Sequence, residues 1–194
     1  MTAMRAIVLL GVLSLLAAPA RAQEPSQEEM AAWMAYMTPG EPHAELANNA
    51  GEWNHTLSMW MQPGTPATEA TARSEGEMIL GGRYLVERFE GNMMGMPFEG
   101  HALTGYDNAK KKFFSAWIDN MGTGLMTGWG DWDAATNSLT ISGTFVDPMD
   151  GMDKPYRQVM KRVNDDHTIM EMYVPGPDGA EYKNMEIHSL RDTD

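Results

Sequence analysis

Gly91-Asn-Met-Met-Gly-Met-Pro-Phe-Glu-Gly100, followed closely by Thr104-Gly-Tyr-Asp-Asn108 and Trp117-Ile-Asp-Asn-Met-Gly-Thr-Gly124, decides the fold. Glycine-punctuated turns here join short runs of aromatic and apolar residues, the pattern of a meandering antiparallel sheet. Working outward, strands are expected near 52–61, 70–80, 83–90, 98–106, 112–119, 124–131, 138–145, 156–163, 168–174 and 181–190. The links between them are short, among them Gly81-Gly82, Asp107-Asn108, Asn164-Asp165-Asp166 and Gly176-Pro-Asp-Gly179. Short links favour sequential antiparallel neighbours over crossover helices. So many strands exceed what one open twisted sheet usually carries, and closure is the economical solution.

The same segments carry a resemblance. With Gly51-Glu52-Trp53, Leu80-Gly-Gly-Arg83, Asp178-Gly179 and Met185-Glu-Ile187, the chain from Pro42 to Arg191 resembles the exported proteins grouped as domain of unknown function 1579. The resemblance implies a mainly β fold, a single antiparallel meander closed or nearly closed into a lipocalin-like barrel of about 8–10 strands. It also implies that Trp53 plugs one end and that Arg191 packs across its ring. It names no activity.

Upstream, Met1 to Ala22 reads as a secretory signal peptide. Arg5 supplies the basic start, Ala6 to Ala18 the apolar run, and Ala20-Arg-Ala22 the small residues before a cut at Gln23. The expected product is exported, periplasmic or extracellular, with residues 23–50 as a helical segment and 51–191 as the barrel domain. The apolar run is too short for a membrane span, and no later run approaches the required length. The chain carries a net charge of −13, and loss of Arg5 and Arg21 with the leader makes it more negative still, which disfavours nucleic acid and anionic membranes. Cysteine is absent, which excludes disulfides, thiol catalysis and zinc thiolate sites.

Ser26-Gln-Glu-Glu29 fits a capping box. Met30, Trp33, Met34 and Met37 then fall on one helical face, expected to dock on the barrel, and Thr38-Pro39-Gly40 ends the helix. A second helical turn is read near 43–49.

No nucleophile elbow, zinc-protease helix, phosphate loop or dinucleotide fingerprint is present. Gly122-Thr-Gly124 with Gly128 reads as a turn or bulge. The 19 methionines are the compositional outlier. Thioethers fill irregular cores and line adaptable pockets, with Cu(I) ligation as the lesser reading. His55, His101 and His188 lie in separate strands; a satisfied or exposed histidine is the expectation for each, with haem ligation, which barrels of related shape make through one such histidine, as the lesser reading. Asp147, Asp150 and Asp153 read as a solvated acidic turn, not a calcium loop. No cofactor or metal is expected.

Arg88, Arg157, Glu171, Tyr173, Glu186 and His188 interrupt apolar strands and must be paired if buried. Glu186 and His188 share a face, and a salt bridge from Glu186 to Arg157 or Arg88 is the structural expectation. The candidate ligand-binding set is Met94, Met96, Trp117, Asp119, Met121, Arg157, Tyr173, Glu186 and His188, with Trp117, Asp119 and Met121 at the cavity mouth. The leading functional reading is a noncatalytic barrel that holds a small apolar molecule. Its rivals are a filled barrel with a structural or partner-binding role, and an enzyme using inward Arg, Glu and His groups.

Overall fold

The computed structural model describes residues 24–193, so the signal-peptide reading lies outside the described residues. Two helices, α1 (Gln27–Met37) and α2 (Glu41–Ala47), precede ten strands: β1 (Gly51–Met59), β2 (Thr68–Ile79), β3 (Tyr84–Met93), β4 (Met96–Asp107), β5 (Lys112–Asp119), β6 (Met126–Asp133), β7 (Ser138–Val146), β8 (Asp153–Asn164), β9 (His167–Pro175) and β10 (Glu181–Arg191). Each strand pairs antiparallel with its neighbour in sequence, and β1 pairs with both β2 and β10, which closes the barrel. Closure leaves no unpaired edge.

Turn chemistry fixes the register. Met93 pairs with Met96 across a two-residue turn in which Met94 and Gly95 have φ of 52° and 82°. Positive φ at both central residues matches the right-handed twist of the flanking strands, and glycine at the second position adopts it freely.

The two ends of the barrel differ. At one end Trp53 is 4% exposed, its Nε1 donates to the Asn49 carbonyl at 3.0 Å, and the Arg191 guanidinium lies 4.3 Å from its ring centroid. Arg191 also donates to the carbonyls of Asn48 and Ala50 at 2.7 and 2.8 Å, tying the last strand to the entry of the first. Helix α2 seals this end. Pro42 favours its first turn, and His43 Nδ1 accepts from the Gly40 N–H at 3.1 Å. Leu46, 2% exposed, inserts among Leu85, Phe113, Leu139, Ile141 and Tyr156, while Glu45 pairs with Arg162 at 2.7 Å. The opposite end carries the turns at 60–67, 94–95, 120–125, 147–152 and 176–180.

Helix α1 has the expected capping box: Glu29 N–H donates to Ser26 Oγ at 3.2 Å, and Ser26 N–H to Glu29 Oε2 at 2.7 Å. Its apolar face does not dock. None of its residues is buried, and Trp33 is 58% exposed, with Met30, Met34 and Met37 exposed alongside it. Only its C-terminal end is held: Asn108 Nδ2 donates to the carbonyls of Tyr36 and Thr38 at 3.0 and 2.8 Å, and Arg83 donates to that of Met37. The physical reason is occupancy. Leu46 of α2 already fills the barrel end nearest to α1, where Arg83 and Asn108 hold its last turn.

Candidate ligand-binding site

Alternation along the strands turns one residue in two toward the barrel axis. The inward set includes Leu57 of β1, Leu85 and Phe89 of β3, Phe98 of β4, Ile141 and Phe145 of β7, Met160 of β8, Met170 and Met172 of β9, and Met185 and Ile187 of β10. They do not fill the interior. A cavity of ≈ 520 Å³ runs from Asn49, Trp53 and Leu85 at the sealed end to Met121, Gly122 and Leu125 at the other. That volume and its largely apolar wall fall within the usual range of small-molecule sites.

Trp117 and Asp119 stand where the cavity meets its mouth. The Trp117 ring stacks on Phe98 with centroids 6.2 Å apart and meets Phe89 edge-on at 5.2 Å. Gly100 lies beneath it, and a side chain there would occupy the space of the indole. Trp117 Nε1 donates to Asp119 Oδ2 at 2.7 Å, while Asp119 Oδ1 accepts from the Met121 N–H at 3.0 Å. One carboxylate thus orients both the ring and the turn that follows. Met93 of β3 joins this wall, whereas Met94 on the turn and Met96 at the start of β4 are exposed.

The remaining sequence candidates lie on the outer surface. Arg157, Tyr173, Glu186 and His188 belong to the outward parity of β8, β9 and β10, because Gln158, Met172, Met185 and Ile187 beside them turn inward. The expected Arg157–Glu186 pair does not form. Arg157 Nη2 pairs with Glu181 at 2.6 Å, and its guanidinium lies 4.0 Å from the Tyr173 centroid. Glu186 pairs with Lys183 and, at 3.1 Å, with His188. The Lys183 ammonium holds the Glu186 carboxyl below the usual carboxylate range. Arg88, also outward, pairs with Glu90 and Glu99. Ionised groups stay in water on this face and avoid the desolvation an apolar interior would impose.

The histidines separate in the same way. His55 faces inward, and both ring nitrogens are engaged at 2.8 Å, Nδ1 with Ser189 Oγ and Nε2 with Ser74 Oγ. Burial keeps the ring neutral and pushes it down to about 4. His101 lies outside beside Glu99, and His188 stacks on His167 on the outer face. Among the described residues no group of three or more His, Cys, Asp or Glu side chains is placed to hold a metal ion. The Asp147–Asp153 turn is held by its own backbone: Asp147 and Asp150 accept from the N–H groups of Met149 and Met152, each at 2.9 Å.

Sequence reasoning missed Glu87. It lies on the cavity wall between Leu85 and Phe89, opposite Gly76 on one side and Ala102 on the other. Among the described residues it forms no ion pair or hydrogen bond, and desolvation pushes its carboxyl up to about 7. The signal was present in Leu85-Val-Glu-Arg-Phe89, where strict alternation puts an acid on the apolar face.

No helix among the described residues is long and apolar enough to cross a membrane. Two solved structures have similar folds. Rv2717c from M. tuberculosis matches with a TM-score of 0.60 at 9% identity, over 79% of this chain and 99% of that one. The S-type phycobiliprotein lyase CPES from Guillardia theta matches with a TM-score of 0.56 at 8% identity, over 88% of this chain and 99% of that one. At such identities the likeness is one of fold alone. No curated protein matches the sequence. The family model described as "Protein of unknown function (DUF1579)" matches residues 38–191, the sealing helix and all ten strands, and the chain belongs to that family.

Proposed function

We propose that this is an exported, noncatalytic barrel that holds a small, mainly apolar molecule in its interior. The observation that carries the reading is the ≈ 520 Å³ cavity, whose wall is built from methionine, leucine, isoleucine and aromatic side chains. Such a wall excludes water from a guest and gives a hydrophobic contribution that grows with the apolar area covered. Thioethers adjust their rotamers at little cost, which suits a site that must close around a flexible guest. A filled core, which the structural reading expects, would leave no such space.

The sequence carries none of the familiar catalytic motifs, which favours holding over transforming. His55 has both nitrogens engaged by serine hydroxyls, and Glu87 makes no hydrogen bond or ion pair among the described residues. Export rests on the leader sequence, and an intact mass beginning at Gln23 is its direct check.

Native mass spectrometry of the protein purified from its own host tests the binding reading. The expected result is a bound species that denaturation removes. A bare protein mass, together with failure to take up any apolar probe, would overturn it.

A further inference from the structure

The cavity is selective in the sign of its polar groups. Among the described residues its wall contains no lysine and no arginine, so none of them offers a positive partner to an acidic headgroup. The titratable groups that face the space are His55 from β1, Glu87 from β3 and Asp119 from β5, with Tyr156 of β8 turned inward behind them. His55 is satisfied by Ser74 and Ser189, and Asp119 by Trp117 and Met121. Glu87 alone of the three is without a partner among the described residues.

Its position is as informative as its charge. Gly76, directly across from Glu87, lies close to the Asn49 carbonyl and to Ala50, which places the carboxyl at the sealed end under α2. Met93, near the mouth, lies six positions further along β3, about 20 Å of extended strand. A molecule reaching Glu87 therefore passes its length along Phe89, Trp117 and the methionines.

We propose that the guest is a basic amphiphile, an alkyl amine or a close equivalent, bound head-down with its ammonium on Glu87 and its apolar tail toward the mouth. This rests on the binding reading above and sharpens it. An ammonium supplies the positive charge that the wall lacks, and a charge-assisted bond in an apolar setting is stronger than a neutral one. A carboxylate guest would meet an acceptor of its own sign, with no cation on the wall to offset the repulsion.

Three probes of equal chain length separate the alternatives: dodecylamine, dodecan-1-ol and dodecanoate, titrated calorimetrically into the mature protein at about pH 8 and high salt, which screens the acidic exterior. The amine is expected to bind at least ~10-fold more tightly than dodecanoate, since a factor of ten is about 1.4 kcal/mol, less than one charge-assisted hydrogen bond usually contributes. Glu87→Gln should erase most of the preference for the amine over dodecanoate, because the contact to the removed charge is lost while the shape is kept. Glu87→Met, chemically closer to the neighbouring wall, is the second variant and should behave likewise. Equal affinity for amine and dodecanoate, or an amine preference that survives both substitutions, would overturn the head-down assignment while leaving apolar binding intact. Uptake of none of the three by the unsubstituted protein would overturn the binding reading itself.

Discussion

Glu87 and His55 illustrate how two residues on one apolar wall act in opposite directions on stability. Burial raises Glu87 from an ordinary 4.5 to about 7, so between those values the folded state binds more protons than the unfolded one. Its contribution is fully present below the unfolded value and is lost as pH rises through about 7. Burial lowers His55 from 6.5 to about 4, so there the unfolded state binds more protons, and stability falls as pH drops through that interval. The two slopes oppose each other over much of the same range. Glu87→Gln removes one of them. The variant should therefore be more stable than the parent at about pH 8, by up to ~3 kcal/mol at roughly 1.4 kcal/mol per unit, with the gain shrinking toward about pH 4. Denaturation midpoints across that range check it, and a pH-independent offset would count against an unpartnered buried carboxyl. The same residue marks a limit of the sequence reading. Arg88, Arg157, Glu186 and His188 drew attention as charges within strands, yet each sits on the parity opposite its apolar neighbours. Glu87 shares the parity of Leu85 and Phe89, so the informative acid was the one that broke the alternation.

At the scale of elements, the ten strands were legible because each alternates and each is bounded by a short polar or glycine-containing turn. Even the closing contact of Arg191 with Trp53 followed from the resemblance to lipocalin-like barrels. The helices were legible only in part. The capping box and apolar spacing of α1 were local signals and the structure has both, but spacing along a helix says nothing about whether a complementary surface is free. That surface was taken by α2, whose seven residues carry only Leu46 and His43 into the interior, too short a pattern to stand out. The difference predicts unequal mutational effects. Leu46→Ala should destabilise the protein by about 2–5 kcal/mol, the usual range for a buried leucine. Deleting α1 should shift stability by no more than about 1 kcal/mol, because only exposed hydrogen bonds at its C-terminal end are lost. Chemical denaturation of both variants distinguishes them. A deletion as damaging as Leu46→Ala would mean that α1 packs on the barrel in solution.

On the scale of the whole molecule, ten strands close around more space than their side chains fill. One end is shut by Trp53, Arg191 and α2, and the other is surrounded by turns bearing exposed methionines, among them Met61, Met94, Met149 and Met152. The aromatic group of Phe89, Phe98 and Trp117 stands between, with Asp119 holding the indole in place. This polarity suits a guest that enters by one route and stops at a defined depth. Ala102 faces the cavity between Glu87 and Trp117 on its two neighbouring strands, so a larger side chain there should occupy the path of the guest while the barrel's hydrogen-bonded frame remains. The most direct measurement is the titration of an apolar fluorescent probe into the parent protein and Ala102→Phe, with the fold of each verified by circular dichroism. One saturable site per chain in the parent, weakened at least ~10-fold in the folded variant, is the predicted result. No uptake by the parent, or equal uptake by both, would contradict the claim that the barrel interior is a binding site.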